Sequence, residues 1–345
     1  MMIENLLRKN IQRLKAYSSA RDDFKGEANI YLDANESPFE NGLNRYPDPY
    51  QSELKIAIAK WKSINSENIV LGNGSDEIID LVFRSFCEPL IDNVVLIKPS
   101  YGMYEVLAQI NNIEINEVEL NKDFSLNSNK ILEKVNDKTK LLIICSPNNP
   151  SSNVFDEREI ENLLHNFKGI VFIDEAYIDF SESESWLTRL ENFPRLIVSQ
   201  TFSKGLGYAG IRLGMMFASK EICSIINKVK APYNVNTLTQ NKALEILEKK
   251  EFVAQINDIK KEKEKLEKHL KTISLVEKIF PSDANFLLVK VKDASLLYKK
   301  LAEDGIIVRN RSNMLHCENS IRISVGTNEE NENLIKTLKK IEAAI

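Results

Sequence analysis

A chain of 345 residues is long enough for a well-buried core and for more than one domain. With 43% hydrophobic and 28% charged residues, its composition is that of a soluble globular protein. The 46 basic and 50 acidic side chains leave a net charge of −4, which gives no broad attraction to nucleic acid or to anionic lipid, so neither is an expected partner.

The opening Met1-Met-Ile-Glu-Asn-Leu-Leu-Arg8 carries charge too early, and has too short an apolar run, for a signal peptide. No stretch approaches the length of a membrane span, and a cytoplasmic location is expected. From about residue 70 to 220, short apolar runs alternate with amphipathic segments. Asn68–Leu71, Val94–Ile97, Leu141–Cys145, Ile170–Ile173 and Leu196–Ser199 lack polar alternation and predict buried strands of a mainly parallel sheet. Asp76–Phe86 and Glu157–Leu164 predict helices between them, so the class is α/β with helices on both faces. Beyond about Lys230, residues 237–272 predict one or two long helices. Their charge-dense stretch from Lys260 mixes signs and reads as a solvated face. A strand over Asn285–Val291, a helix over 294–303, strands over Ile306–Val308 and Ile321–Val325 and a final helix make a smaller α+β unit. Cys87, Cys145, Cys223 and Cys317, like His165, His269 and His316, are too scattered for a metal site, and none is expected.

Two chemistries compete for Thr201-Phe-Ser-Lys-Gly-Leu-Gly-Tyr-Ala-Gly-Ile-Arg212. Gly205-x-Gly207-x-x-Gly210 fits the letters of a dinucleotide fingerprint and hence a nicotinamide-binding oxidoreductase. That reading needs a helix after the glycines and an acid some 20 residues on. Ile211–Ser219 reads instead as a strand, and no clear acid follows. The alternative makes Lys204 an amine that bonds covalently to an aldehyde cofactor, pyridoxal phosphate. Such a site needs an acid for the pyridine nitrogen, donors to the ring hydroxyl, a flat side chain over the ring and a phosphate cage. Candidates stand at the ends of separate predicted strands. Asp174 closes Ile170–Ile173, with Tyr177 three residues on. Asn149 lies in the rigid turn Ser146-Pro-Asn-Asn-Pro150, and Tyr101 follows Lys98-Pro-Ser. Ser75 and Asp76, after Gly72-Asn-Gly74, can offer helix-start N–H groups to a phosphate, with Ser203 and Arg212 completing the cage. The three glycines of the lysine turn are expected to let it pass close to that phosphate. Each motif alone has a plain structural explanation (a strand-end turn, an ordinary helix cap, a surface tyrosine), and it is their joint occurrence that favours the lysine.

This set resembles the fold-type I pyridoxal phosphate aminotransferases, and within them the histidinol-phosphate aminotransferase family, over about residues 30 to 340. The motifs are Leu32–Pro38, Arg45–Asp48, Gly72–Glu77, Pro99–Tyr104, Ser146–Pro150, Asp174–Tyr177, Ser203–Arg212 and Ile321–Thr327. The resemblance implies an N-terminal arm over 1–35, a large cofactor domain over 36–235 built on a mainly parallel seven-stranded sheet, and a small C-terminal domain over 236–345. It implies Lys204 as cofactor lysine and proton shuttle, and Asp174 as partner of the pyridine nitrogen. Asn149 and Tyr177 would sit on the ring oxygen and Tyr101 over the ring, with Ser75, Asp76, Ser203 and Arg212 on the phosphate. Tyr46 is similar to a tyrosine lent by a neighbouring subunit, implying a homodimer. Arg322 and Arg309 are similar to the pair that grips a substrate phosphate, with Arg311 as a nearby competitor for the role of Arg309. Asn35 and Tyr17 fit positions that cover the substrate, although Ala16-Tyr-Ser-Ser19 departs from the family's Pro-Tyr-x-Pro. The implied reaction converts L-histidinol phosphate and 2-oxoglutarate to imidazole-acetol phosphate and glutamate, in histidine biosynthesis. An aminotransferase for aromatic amino acids, with Arg322 on a carboxylate, and a decarboxylase of a phosphorylated amino acid are the neighbouring alternatives.

Overall fold

The computed structural model describes residues 3–18, 26 and 28–343. Seven strands form one sheet: β1 (Ile69–Asn73), β2 (Asn93–Lys98), β3 (Glu114–Glu119), β4 (Thr139–Cys145), β5 (Ile170–Asp174), β6 (Leu196–Thr201) and β7 (Leu213–Ala218). Their order is β1-β7-β6-β5-β4-β2-β3. The ladders from β3 to β6 are parallel, while β7 runs antiparallel to both its neighbours. Successive residues of a strand point to opposite faces. In β5, Val171 and Ile173 enter one core while Ile170 and Phe172 enter another; in β4, Leu142 and Ile144 oppose Leu141 and Ile143. Both faces are therefore apolar, which is why these runs show no polar alternation.

Helices cover each face. Ile160, Leu163 and Leu164 of helix Glu157–Asn166 join the first core, and Asp156 caps that helix by accepting from the Arg158 N–H. Ile222, Cys223, Ile225 and Ile226 of helix Lys220–Val229, capped by Ser219, join the second. In this sheet the unanticipated strand is β3, an edge strand in which Val118 alone is buried, so its sequence carries no apolar run. Among the described residues, no helix is long and apolar enough to cross a membrane.

A second, antiparallel sheet has the order β10-β11-β9-β8, from β8 (Val276–Ile279), β9 (Phe286–Val291), β10 (Arg309–Asn310) and β11 (Ser320–Ser324). Helices Phe252–Leu270, Ala294–Glu303 and Asn328–Ala343 share its core. The expected strand over Ile306–Val308 is corrected. Gly305 ends the preceding helix at φ +80°, and the Ile306 N–H bonds back to the Leu301 carbonyl at 2.8 Å. Val308 and Ile306 pack on the small core, and the ladder starts only at Arg309, opposite Arg322. Residues 237–272 form two helices, Thr237–Lys249 and Phe252–Leu270, and Lys260, Lys261 and Lys265 of the charge run each pair with an acid.

A strand follows the turn between β6 and β7, as expected, but the turn's glycines answer to local packing and backbone shape. A Cβ on Gly205 would fall 2.2 Å from an Asp179 oxygen, so Gly205 answers to packing against that side chain; Gly207 serves a φ of +80°, and Gly210 has open space around it. The close approach is made elsewhere: a Cβ on Gly214 would lie 2.5 Å from the Gly74 carbonyl carbon and 2.6 Å from the Ser75 nitrogen. Gly214→Ala is therefore expected to lower stability by about 1–3 kcal/mol through forced overpacking. Gly210→Ala should stay within about 0.5 kcal/mol of the parent. Urea unfolding of the two variants checks the contrast, and equal losses would contradict it.

Candidate active site

A cavity of about 430 Å³ opens at the carboxyl ends of β4, β5 and β6, where open α/β sheets bind ligands. Ser75, Asp76, Tyr101, Asn149, Asp174, Tyr177, Ser203, Lys204, Arg212, Arg309 and Arg322 all line it, and so does Arg311. A larger cleft of about 1220 Å³, around Trp61, Lys62 and Asp179, contains none of them.

Asp174 ends β5 and is 4% exposed. Its Oδ2 accepts from the Tyr104 hydroxyl at 2.7 Å; its Oδ1 accepts from the Ser199 hydroxyl and the Ala176 N–H, both at 3.1 Å. Burial pushes the carboxyl above its ordinary range, and the Tyr104 and Ser199 donors pull it back. A carboxylate has roughly four lone-pair sites, so three donors leave room for one more, and a cationic N–H there would offset the burial. Tyr104 and Ser199, which hold Asp174, are positions that no motif assigns. Their available signals were a second aromatic in Pro99-Ser-Tyr-Gly-Met-Tyr104 and a polar residue ending an apolar run.

The turn after β4 is fixed by Asn148, also unassigned from sequence. Its amide donates to the Pro99 carbonyl at 3.0 Å and to the Ser151 hydroxyl at 2.8 Å, and accepts from the Ser100 hydroxyl at 2.9 Å. That buried network ties the turn after β2 to the turn after β4 and leaves Asn149 at the cavity wall. The Asn149 Oδ1 accepts from Arg322 Nη1 at 2.7 Å, leaving its amide N–H groups available to a ring oxygen. Tyr101 packs edge-on to Tyr104 with centroids 5.4 Å apart, and its hydroxyl donates to Asp76 Oδ1 at 3.3 Å.

The helix Ser75–Phe86 starts from Gly74, which has φ +80° and no side chain to cap it. Glu77, in its first turn, is turned away, accepting from the Asn73 N–H and from the Asn234 amide. Among the described residues, the Ser75 hydroxyl is buried without a partner. Arg212, held at φ 55°, lies so close that a Cβ on Gly74 would fall 2.6 Å from its Nη2. Open helix-start N–H groups, an orphaned hydroxyl and a guanidinium form an anion cup. The residues present thus fit a phosphorylated, protonated aromatic cofactor at both ends.

Lys204 lies between those ends, its Nζ 5.6 Å from the centroid of Tyr177. Partial burial, then the Arg322 charge, lowers its pKa, against the opposing pull of Asp174 and Asp76. Burial raises the Tyr177 phenol. On the far wall, Arg309 and Arg322 are cross-strand partners, and Arg322 sits 5.2 Å from the centroid of Phe286.

Three expected residues lie outside this cavity. Tyr17 is 71% exposed and lines a small pocket with Pro49, Tyr50 and Pro232. Asn35 is exposed, with φ 55°. Both lie in stretches without regular structure. Tyr46 is half exposed and stacks on Tyr233 with centroids 4.5 Å apart.

The profile of the family described as "Aminotransferase class I and II" matches residues 29–338. The histidinol-phosphate aminotransferase of Flavobacterium psychrophilum is 52% identical over 341 residues, covering 98% of this chain and 99% of that protein. That of Christiangramia forsetii is 53% identical over 343 residues, covering 99% and 98%. The crystal structure of the histidinol-phosphate aminotransferase from Clostridium acetobutylicum matches with a TM-score of 0.81 at 26% identity, covering 88% of this chain and 92% of that one. At that identity and over nearly the full length of both proteins, the chain belongs to the histidinol-phosphate aminotransferase family, within the class I and II aminotransferases.

Proposed function

We propose that this chain binds pyridoxal phosphate and transfers the amino group of L-histidinol phosphate to 2-oxoglutarate, giving imidazole-acetol phosphate and glutamate in histidine biosynthesis. The observation that carries the reading is that one cavity holds a buried acid, an amine with a lowered pKa, an anion cup and a separate arginine wall. The cup and Asp174 suit the two ends of the cofactor, and the arginine wall suits a second phosphate, that of the donor.

Bound there, the cofactor supplies an aldehyde that takes up amines and a protonated ring that withdraws electrons from the donor's Cα. Asp174 holds the ring-nitrogen end, its charge kept in place by Tyr104, Ser199 and the Ala176 N–H. Ser75, Asp76 and Ser203 offer donors to the phosphate end, and Arg212 adds charge-assisted hydrogen bonds. Asn149 and Tyr177 donate to the ring oxygen, and Tyr101 covers a ring face. Lys204 Nζ is the cofactor's covalent anchor and, once released, the base that takes the proton from the donor's Cα. A lowered pKa keeps a usable fraction of that amine unprotonated near neutral pH. Arg322 and Arg309 hold the donor's phosphate. The working unit is a homodimer in which Tyr46 reaches the neighbouring site and Asn35 and Tyr17 close over the donor. Four buried free thiols suit a reducing cytoplasm.

Lys204→Ala is expected to abolish the yellow absorbance of the covalently held cofactor and to cut turnover by about 10²–10⁴-fold or more. Retention of both colour and turnover would remove the assignment. Because the Arg322 charge helps to lower the Lys204 pKa, Arg322→Gln should raise it. The midpoint pH for cofactor attachment to the apoenzyme then moves upward; an unchanged or lower midpoint contradicts this. For the wild type, kcat/KM should favour histidinol phosphate over phenylalanine and tyrosine by several orders of magnitude, and the reverse order would overturn the substrate.

A further inference from the structure

The hairpin of β10 and β11 carries one more cation than a pair. Arg309 stands directly across the ladder from Arg322. Arg311 follows two residues on, on the same side, with its backbone N–H donating to the Ser320 carbonyl at 2.8 Å. All three line the cavity. Like charges facing each other across a ladder repel, yet among the described residues no carboxylate forms an ion pair with any of them. Arg322 spends one nitrogen on Asn149. Among the described residues, the Nε of Arg311 is buried without a partner, and so is the hydroxyl of the adjoining Ser312. Burial first, then the charges of Arg322 and Arg309, lowers Arg311 to about 10, which leaves it cationic at neutral pH.

A buried N–H without a partner is costly, and the half-buried guanidiniums of Arg311 and Arg322, with the exposed Arg309 beside them, have no carboxylate to offset their charge. A carboxylate brings one negative charge and two oxygens, which two arginines satisfy. A phosphomonoester brings three acceptor oxygens and, above its second pKa of about 6, nearly two charges. We infer that Arg311 is a specificity-determining residue that, with Arg309 and Arg322, completes a site for a phosphomonoester dianion and disfavours donors carrying only a carboxylate. The inference rests on the proposed reading of the substrate and adds the residue and the charge state by which that substrate is selected. Lys in place of Arg311 would keep the charge but lose the planar fork.

The test uses the cofactor-loaded enzyme, as wild type, Arg311→Gln and Arg311→Lys. Steady-state kcat and KM for histidinol phosphate are measured from pH 5.5 to 8, with inhibition by inorganic phosphate alongside. In Arg311→Gln, KM and the phosphate inhibition constant should each rise roughly 10- to 100-fold, as for loss of a charged hydrogen bond, with kcat within about twofold. The rise in wild-type KM as pH falls through about 6 should flatten in that variant, and Arg311→Lys should recover part of the loss. Unchanged KM and phosphate inhibition in Arg311→Gln would overturn the inference while leaving the proposed function intact. Loss of cofactor absorbance in both variants would also overturn it, by making Arg311 a structural residue. A wild type with no preference for histidinol phosphate would sink the proposed substrate instead, and the phosphate inhibition constants would then decide Arg311 by themselves.

Discussion

Asp174 is an acid almost closed off from water, and much of the site's geometry follows from making that tolerable. Its three donors come from three places: helix Met103–Ile110, strand β6, and the backbone just past β5. Ser199 reaches it because the two are register partners across β5 and β6. The next residue, Glu175, is anchored by the Ser185 hydroxyl, the Trp186 N–H and the amide of Gln200. Burial pushes Glu175 up to about 7. Two adjacent acids are thus held by two adjacent polar residues of β6, and the strand end that carries Asp174 cannot shift without breaking both sets.

The charge balance of the chain and that of its cavity point in opposite directions. The whole sequence is acidic by four charges, yet the cavity lining holds Lys204, Arg212, Arg309, Arg311 and Arg322 against Asp76 and Asp174. Positive charge concentrated in a concave, partly dry site attracts anionic ligands there without making the outer surface sticky to polyanions. The same concentration depresses the lysine, because Arg322 and Arg212 both disfavour its protonated form. Gathering anionic ligands and freeing an amine are one electrostatic arrangement.

What could be read from the residues in order was whatever depended on local pattern. The strands through Leu141–Cys145 and Ile170–Ile173 were legible because burial on both faces makes an unbroken apolar run, and Asp174 because it stands where such a run stops. The edge strands β3 and β8 were not: between them they bury only Val118, and they look like any polar segment. The two-residue β10 exists only because β11 lies beside it. Tyr104 sat in a motif already noted, but its bond to Asp174 spans 70 positions, a distance over which periodicity is silent. The glycines of the lysine turn misled for a related reason. Which glycine a close contact demands is decided by the partner backbone, and that partner, Gly74, meets Gly214 rather than Gly210.

The antiparallel return of β7 has a temporal consequence. Strand β1, which leads into the anion cup, pairs only with β7, and the Asn68 amide closes that edge on the Ala218 carbonyl, 150 positions later. On a ribosome, chain emerges N-terminal end first. The strands from β2 to β6 can align while β1 and the helix behind it still lack their neighbour. Gly214 reaches Gly74 only once the chain has passed the lysine turn. The cup is therefore completed by the strand that follows the lysine turn, and a nascent chain cannot close it before Lys204 has been made.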